Sequence, residues 1–148
     1  MKKLLLLKLT LIFITLVSSA ESKQINYHNK GKLLFENNQI EKSKILFERD
    51  IVFNPKNENS YLFLAKIFKK KNNEEEKEIN LKSVLLLNPS NDEAIYMLTL
   101  LKIKQSDYKE SKKLIEKFNL VCKSFCEKKK EMQEKFSKLN PNETEKEN

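Results

Sequence analysis

Apolar residues recur at helical spacing from Ile25 onward, in stripes separated by short polar breaks. Tyr27, Leu33, Leu34 and Phe35 predict a first helix ending near Asn37-Asn38. Ile40, Ile45, Leu46, Phe47 and Ile51 predict a second, closed by Pro55. A third helix, with Asn57 as its cap, carries Tyr61, Leu62, Leu64, Ala65, Ile67 and Phe68, and Lys71-Asn72-Asn73 breaks it. Asn73 with Glu76 resembles a capping box, and Glu74 and Glu75 complement the helix N-terminus. That fourth helix carries Ile79, Leu81, Val84, Leu85 and Leu87 up to Pro89. Ser90 with Glu93 is a second capping-box candidate, ahead of Ala94, Ile95, Leu98, Leu101 and Ile103 on a fifth helix. Ser106 is the expected cap of a sixth, with Tyr108, Leu114, Ile115 and Phe118 inward. A last helix is expected from about Lys123 to Leu139, with Phe125, Met132, Phe136 and Leu139 on one face, stopped by Asn140-Pro141.

Within this run of helices, Asn54-Pro55-Lys56-Asn57 returns as Asn88-Pro89-Ser90-Asn91, and the two prolines lie 34 residues apart. A 34-residue period with two helices per unit is the signature of the tetratricopeptide repeat. From Gln24 to Phe118 the chain resembles that family. Unit one supplies Tyr27, Gly31, Leu34, Ser43, Phe47 and Pro55; unit two supplies Tyr61, Leu64, Ala65, Phe68, Leu81 and Pro89. Unit three supplies Ile95, Leu98, Ser111 and Ile115, with Asp107-Tyr108 where the family often begins its second helix. Small residues at Gly31, Ala65, Ser43 and Ser111 would let paired helices approach closely. Four lysines depart from the pattern: Lys30 replaces a Leu, Lys77 falls where a small residue is expected, Lys102 at an aromatic site, and Lys123 where a third Pro would stand. The resemblance implies an all-α helical-hairpin solenoid of about three units (24–57, 58–91 and 92–121) with a capping helix at 122–140, and the short, polar stretch at 141–148 reads as a disordered tail.

Composition sharpens this picture in two ways. The chain has 148 residues, one Gly and three Pro, which disfavours sheets, and its formal net charge is +8. Residues 1–20 form a separate object: Lys2 and Lys3, then apolar Leu4–Leu7 and Leu9–Val17 interrupted by Lys8, then Ser18-Ser19-Ala20 before Glu21. This reads as a secretory signal peptide cut after Ala20, placing the protein in the periplasm of a bacterial envelope. The alternative is an uncleaved leader that anchors the chain to the membrane, and only then is membrane contact expected. Lys8 leaves an uninterrupted apolar run too short to span a bilayer. Losing Lys2, Lys3 and Lys8 with the leader lowers the net charge to +5.

Catalytic signals are missing, so the protein is read as not an enzyme and without a cofactor. His28 is the only histidine, one glycine cannot build a phosphate loop, and Glu74-Glu75-Glu76 is more simply a helix start than a metal site. Nucleic acid and small-molecule substrates are not expected; Lys128-Lys129-Lys130 is flanked by Glu127 and Glu131 and reads as a solvated face. Cys122 and Cys126 lie beyond the third unit. In an oxidising compartment they favour a disulfide, with Cys122 at or before the start of the last helix; free buried thiols and a metal or redox role remain open. Function is then expected in protein binding. In the tetratricopeptide family the first helix of each unit lines a concave groove, and the corresponding positions here are His28, Lys32 and Phe35; Asn59, Leu62, Lys66, Lys69 and Lys70; and Glu93, Tyr96, Leu100, Ile103 and Lys104. Family members that clamp a terminal carboxylate use Lys, Asn and Arg in the groove, and Phe63, Glu93 and Met97 occupy three of those positions here. The resemblance therefore implies a scaffold or adaptor whose groove takes an acidic and apolar segment, with Tyr96 and Leu62 as anchors and lysines speeding encounter. The alternative is a periplasmic thiol- or metal-handling factor acting through Cys122 and Cys126.

Overall fold

The computed structural model describes residues 26–139; the expected leader and the expected tail lie outside the described residues. Seven α-helices follow one another there: α1 (Tyr27–Glu36), α2 (Ile40–Phe53), α3 (Glu58–Lys70), α4 (Glu74–Leu87), α5 (Asp92–Lys104), α6 (Tyr108–Val121) and α7 (Lys129–Ser137), the last preceded by a 3₁₀ turn, Cys126–Lys128. Helices pack in consecutive hairpins, α1 on α2, α3 on α4 and α5 on α6, and each hairpin packs on the next.

The hairpin turns are built alike. Asn38, Asn72 and Ser106 each take a left-handed backbone (φ 56°, 55° and 56°), at intervals of 34 residues. The following N–H reaches back into the helix just ended: Gln39 to the Leu34 carbonyl (2.8 Å), Asn73 to Phe68 (3.0 Å) and Asp107 to Lys102 (2.9 Å). This is the Schellman closure, which satisfies carbonyls left open at a helix end. Ser106 therefore ends α5 rather than capping α6, and Asp107 is the cap, its side chain accepting from the Glu110 N–H. Asn91, not Ser90, caps α5 by accepting from the Ala94 N–H at 2.9 Å, while Ser90 bonds to the Asn88 side chain within the turn. Asn73 caps α4 as expected, accepting from the Glu76 N–H. Asn57 stands at the cap position of α3, but its amide donates to Asp50 at 2.6 Å instead.

Close approach inside the hairpins depends on small residues. Gly31, Ser43, Ala65 and Ser111 are all buried. Ser43 Oγ donates to the Gly31 carbonyl at 2.9 Å. Two apolar clusters result. One gathers Phe47, Leu64, Ile67 and Phe68; the larger runs from Ala65 and Leu81 through Ile95, Leu98 and Phe118 to Met132.

Carboxylates tie successive hairpins together. Glu58, at the start of α3, accepts from the side chains of Asn88 (2.9 Å) and Asn91 (3.4 Å) in the turn that follows α4. Asp92, 34 residues on and at the start of α5, accepts from the backbone N–H groups of Lys123 (2.7 Å), Ser124 (2.6 Å) and Phe125 (3.1 Å). Burial raises the Asp92 pKa, but these three N–H groups and that of Glu93 outweigh it and hold the carboxyl below its usual range. Asp92 also explains why the last helix begins at Lys129 and not near Lys123: the N–H groups of 123–125 point at a carboxylate, and the segment turns instead of coiling. Once started, α7 keeps the repeat register. Met132 falls 34 residues after Leu98 and Phe136 34 after Lys102, and α7 packs on α5 and α6 as another first helix would.

Lys102, the lysine at an aromatic position, has a partner. Its ammonium lies 2.7 Å from Glu78 of α4, which also meets Lys82 at 2.7 Å and Gln105 at 3.2 Å. Burial disfavours the Glu78 charge, but these donors prevail and bring its pKa down to about 2. The second helices carry a periodic feature of their own on the outer surface. Val52, Leu86 and Leu120, again 34 residues apart, are 74%, 84% and 87% exposed.

Candidate protein-binding groove

The first helices lie side by side, and aromatic rings join α1 to α3. Phe63 stacks on Phe47 (centroids 4.8 Å) and receives the edges of Phe35 (5.3 Å) and His28 (5.8 Å). Lysines cover this aromatic surface: Lys70 sits 4.8 Å above the Phe35 ring and Lys66 5.1 Å above Phe63. Lys66 also pairs with Glu93 of α5 at 2.8 Å, joining α3 to α5. Cation–π contact keeps an ammonium extended over a ring while its charge stays in water. The result is a face on which apolar platforms and positive charge alternate.

The expected groove residues divide into two sets. Lys32, Asn59, Lys69, Lys70 and Lys104 are exposed, and Phe35, Lys66, Leu100 and Ile103 are half-buried. The other four serve the fold. Leu62 is only 7% exposed and packs within the larger core cluster, so it is not the anchor that the sequence suggests. Tyr96 is held by the capping segment: its ring lies against Phe125 (6.0 Å), its hydroxyl donates to Glu131 (3.0 Å), and Lys128 approaches its face. Burial, and then the Glu131 contact, push the Tyr96 phenol up to about 12. Its anchor role is thus already taken by the chain itself. Glu93 is occupied by Lys66. Phe63, read from sequence only as a departure from the carboxylate clamp, is the ring at the centre of the face. Its neighbours in sequence, Tyr61, Leu62, Leu64 and Ala65, are all apolar, so the period alone could not say which would face outward.

His28 turns inward. Its Nδ1 lies 2.8 Å from Ser60 Oγ, and Ser60 Oγ donates to Asp50 at 2.6 Å. The single hydroxyl proton is used on Asp50, so Nδ1–H of His28 is the donor to Ser60. Burial lowers the His28 pKa, with Asp50 opposing and Lys32 adding to the shift. The three residue types are those of a hydrolytic triad, but the order is wrong: serine is central and fully buried, and histidine has no hydroxyl to activate. This chain fastens α1 to α3, and with Asn54 and Asn57 it satisfies the buried Asp50.

Two further groups lie at the edges of the face. Cys122 and Cys126 are bonded, with Cα atoms 5.4 Å apart, between the end of α6 and the 3₁₀ turn. A pocket of about 270 Å³ opens between the α3–α4 turn and the end of α5, and Lys69, Leu100 and Lys104 are among its lining residues.

No family model matches the chain, and no curated protein matches it in sequence. Solved structures do match. The first tetratricopeptide domain of Spaghetti (RPAP3), bound to the HSP90 peptide SRMEEVD, aligns with TM-score 0.67 at 16% identity, over 76% of this chain and 90% of that one. The Sgt2 tetratricopeptide domain from Aspergillus fumigatus aligns with TM-score 0.59 at 15% identity, over 80% of this chain and 78% of that one. Three helical hairpins closed by a further first helix, with small residues at most close approaches and a 34-residue register throughout, are thus a solenoid of the tetratricopeptide-repeat fold.

Proposed function

We propose that the protein is a non-catalytic adaptor of the bacterial envelope, and that the face of α1, α3 and α5 takes a segment of a protein partner carrying acidic and apolar residues. The observation behind this is the pairing of Lys70 with Phe35 and of Lys66 with Phe63. The rings offer apolar contact, and the exposed Lys70 ammonium beside Phe35 meets a carboxylate, while Lys66 over Phe63 already pairs with Glu93. The peptide seated on the Spaghetti domain, SRMEEVD, mixes acidic and apolar residues in this way. The positions differ, however. Glu93 is paired, Met97 is 5% exposed, and Phe63 is a ring, so the recognition is expected to run through ring faces and single charges rather than a terminal-carboxylate clamp. Placement in the periplasm rests on the leader at 1–20. A thiol- or metal-handling role has less behind it, because Cys122 and Cys126 are joined to each other at a chain turn.

Affinity capture from envelope extracts tests both halves of the reading. Protein recovered from that fraction should begin at Glu21 by N-terminal sequencing. A partner captured by the wild type should be lost with Phe35→Ala, chiefly through faster dissociation. Lys70→Glu should slow association and flatten its salt dependence. Capture that survives both changes but is lost with Val52→Ser, Leu86→Ser and Leu120→Ser would move the binding surface to the second helices and overturn the groove.

A further inference from the structure

Lys77 stands 34 residues from Ser43 and 34 from Ser111, the equivalent positions of the other two hairpins. Both serines are fully buried where paired helices touch. A lysine cannot be held in that space, and its side chain instead lines the pocket of about 270 Å³ beside α5. Three ammonium-bearing residues from three helices line this one cavity: Lys69 at the end of α3, Lys77 in the first turn of α4 and Lys104 at the end of α5. Glu74 is the sole carboxylate in the lining, and it pairs with Lys104. Among the described residues, Lys69 and Lys77 have no carboxylate within 4.0 Å. Phe68 and Leu100 form the apolar part of the wall. The lining thus holds three positive charges against one negative, a surplus of two.

A half-buried ammonium without a counter-charge is unfavourable unless something supplies one. Lys77 shows this: burial first, and then Lys69 and Lys104, hold its pKa below the ordinary lysine value, with Glu74 opposing. We propose that this pocket binds a small oxyanion of charge near minus two, a phosphoryl group or a dicarboxylate, through Lys69, Lys77 and Lys104. Its volume admits such a group together with part of what bears it. The clamp positions of the family, here Phe63, Glu93 and Met97, do not line this pocket. Free anions fill it without any partner segment, so the site stands or falls apart from the groove.

The test is an NMR titration of the full chain with inorganic phosphate, and in parallel with succinate, at constant ionic strength. Saturable shifts confined to Lys69, Asn73, Lys77 and Lys104 are expected, and the anion that saturates at lower concentration identifies a phosphoryl or a dicarboxylate source. Lys77→Ser installs the residue that both other hairpins use, so the fold is retained by circular dichroism while affinity falls at least about tenfold, the loss of one charge-assisted contact. Lys69→Gln, outside the hairpin interface, should weaken binding similarly. Shifts that rise linearly and spread over the chain's other lysines would overturn the proposal. So would saturable binding that Lys77→Ser and Lys69→Gln leave unchanged.

Discussion

Gly31 lies against the ring of Phe47: a Cβ placed there would stand 3.0 to 3.1 Å from three ring carbons. Phe47 is fully buried and stacked on Phe63, so it has nowhere to retreat. Gly31→Ala would gain about 1 kcal/mol of helix propensity and lose about 1–3 kcal/mol to overpacking. A net loss of roughly 1 kcal/mol in denaturant-induced unfolding is expected, although the same exchange raises stability at most helix positions. The small-residue pattern was legible because it recurs at a fixed interval and has a steric cause. Ring orientation was not: α3 is apolar on several sides, and only its neighbours decide that Leu62 is core while Phe63 is half-buried between the core and the face.

Among the elements, the turns show how near a local signal comes and where it fails. Ser106 and Asp107 both belong to the residue types that cap helices, and one residue's displacement is invisible to composition. The period resolves it, since Asn38 and Asn72 hold the left-handed position one register earlier. Asn adopts that backbone more readily than Ser, because its side chain compensates part of the steric cost. Ser106→Asn should therefore stabilise the protein by a few tenths to about 1 kcal/mol in thermal or denaturant unfolding. A loss of stability would mean that the Ser106 side chain contributes something its backbone position does not require. The start of α7 was illegible for a different reason. Lys128-Lys129-Lys130 and the flanking glutamates suit a helix throughout, and what stops it is a carboxylate from α5, 31 residues earlier in the chain than Lys123.

For the whole molecule, α7 continues the repeat register beyond the third hairpin. Met132 is fully buried among the residues of the larger core cluster, which also holds Leu98 one repeat earlier, while Leu64, two repeats earlier, is buried in the smaller cluster. If α7 closes the solenoid, Met132→Ala should cost about 2–5 kcal/mol of global stability, the range for truncating a core side chain. Unfolding followed at Tyr96 and in the far-ultraviolet should shift together. A change confined to local fraying of α7, with the hairpins unaffected, would make it an appendage instead of a cap. The exposed row of Val52, Leu86 and Leu120 belongs to this scale too: along the chain each sits beside other apolar residues near the end of a second helix, and the three become a periodic outer row only when the hairpins stack.

Sequence alone determined the number of hairpins, their period and the close approach of paired helices, because these depend on contacts within about one repeat and recur in register. It also exposed Lys77 and Lys102 as misfits, since a lysine at a packing position breaks a periodic rule. Only the tertiary structure decided what the misfits do. Lys102 finds Glu78 on the preceding helix, while Lys77 meets Lys69 and Lys104 around a cavity. The same holds for Tyr96 and Asp92, whose partners come from the capping segment. Those partners lie elsewhere in the chain, on another helix or in the segment after α6, and helical periodicity fixes which face a residue occupies without fixing what arrives opposite it.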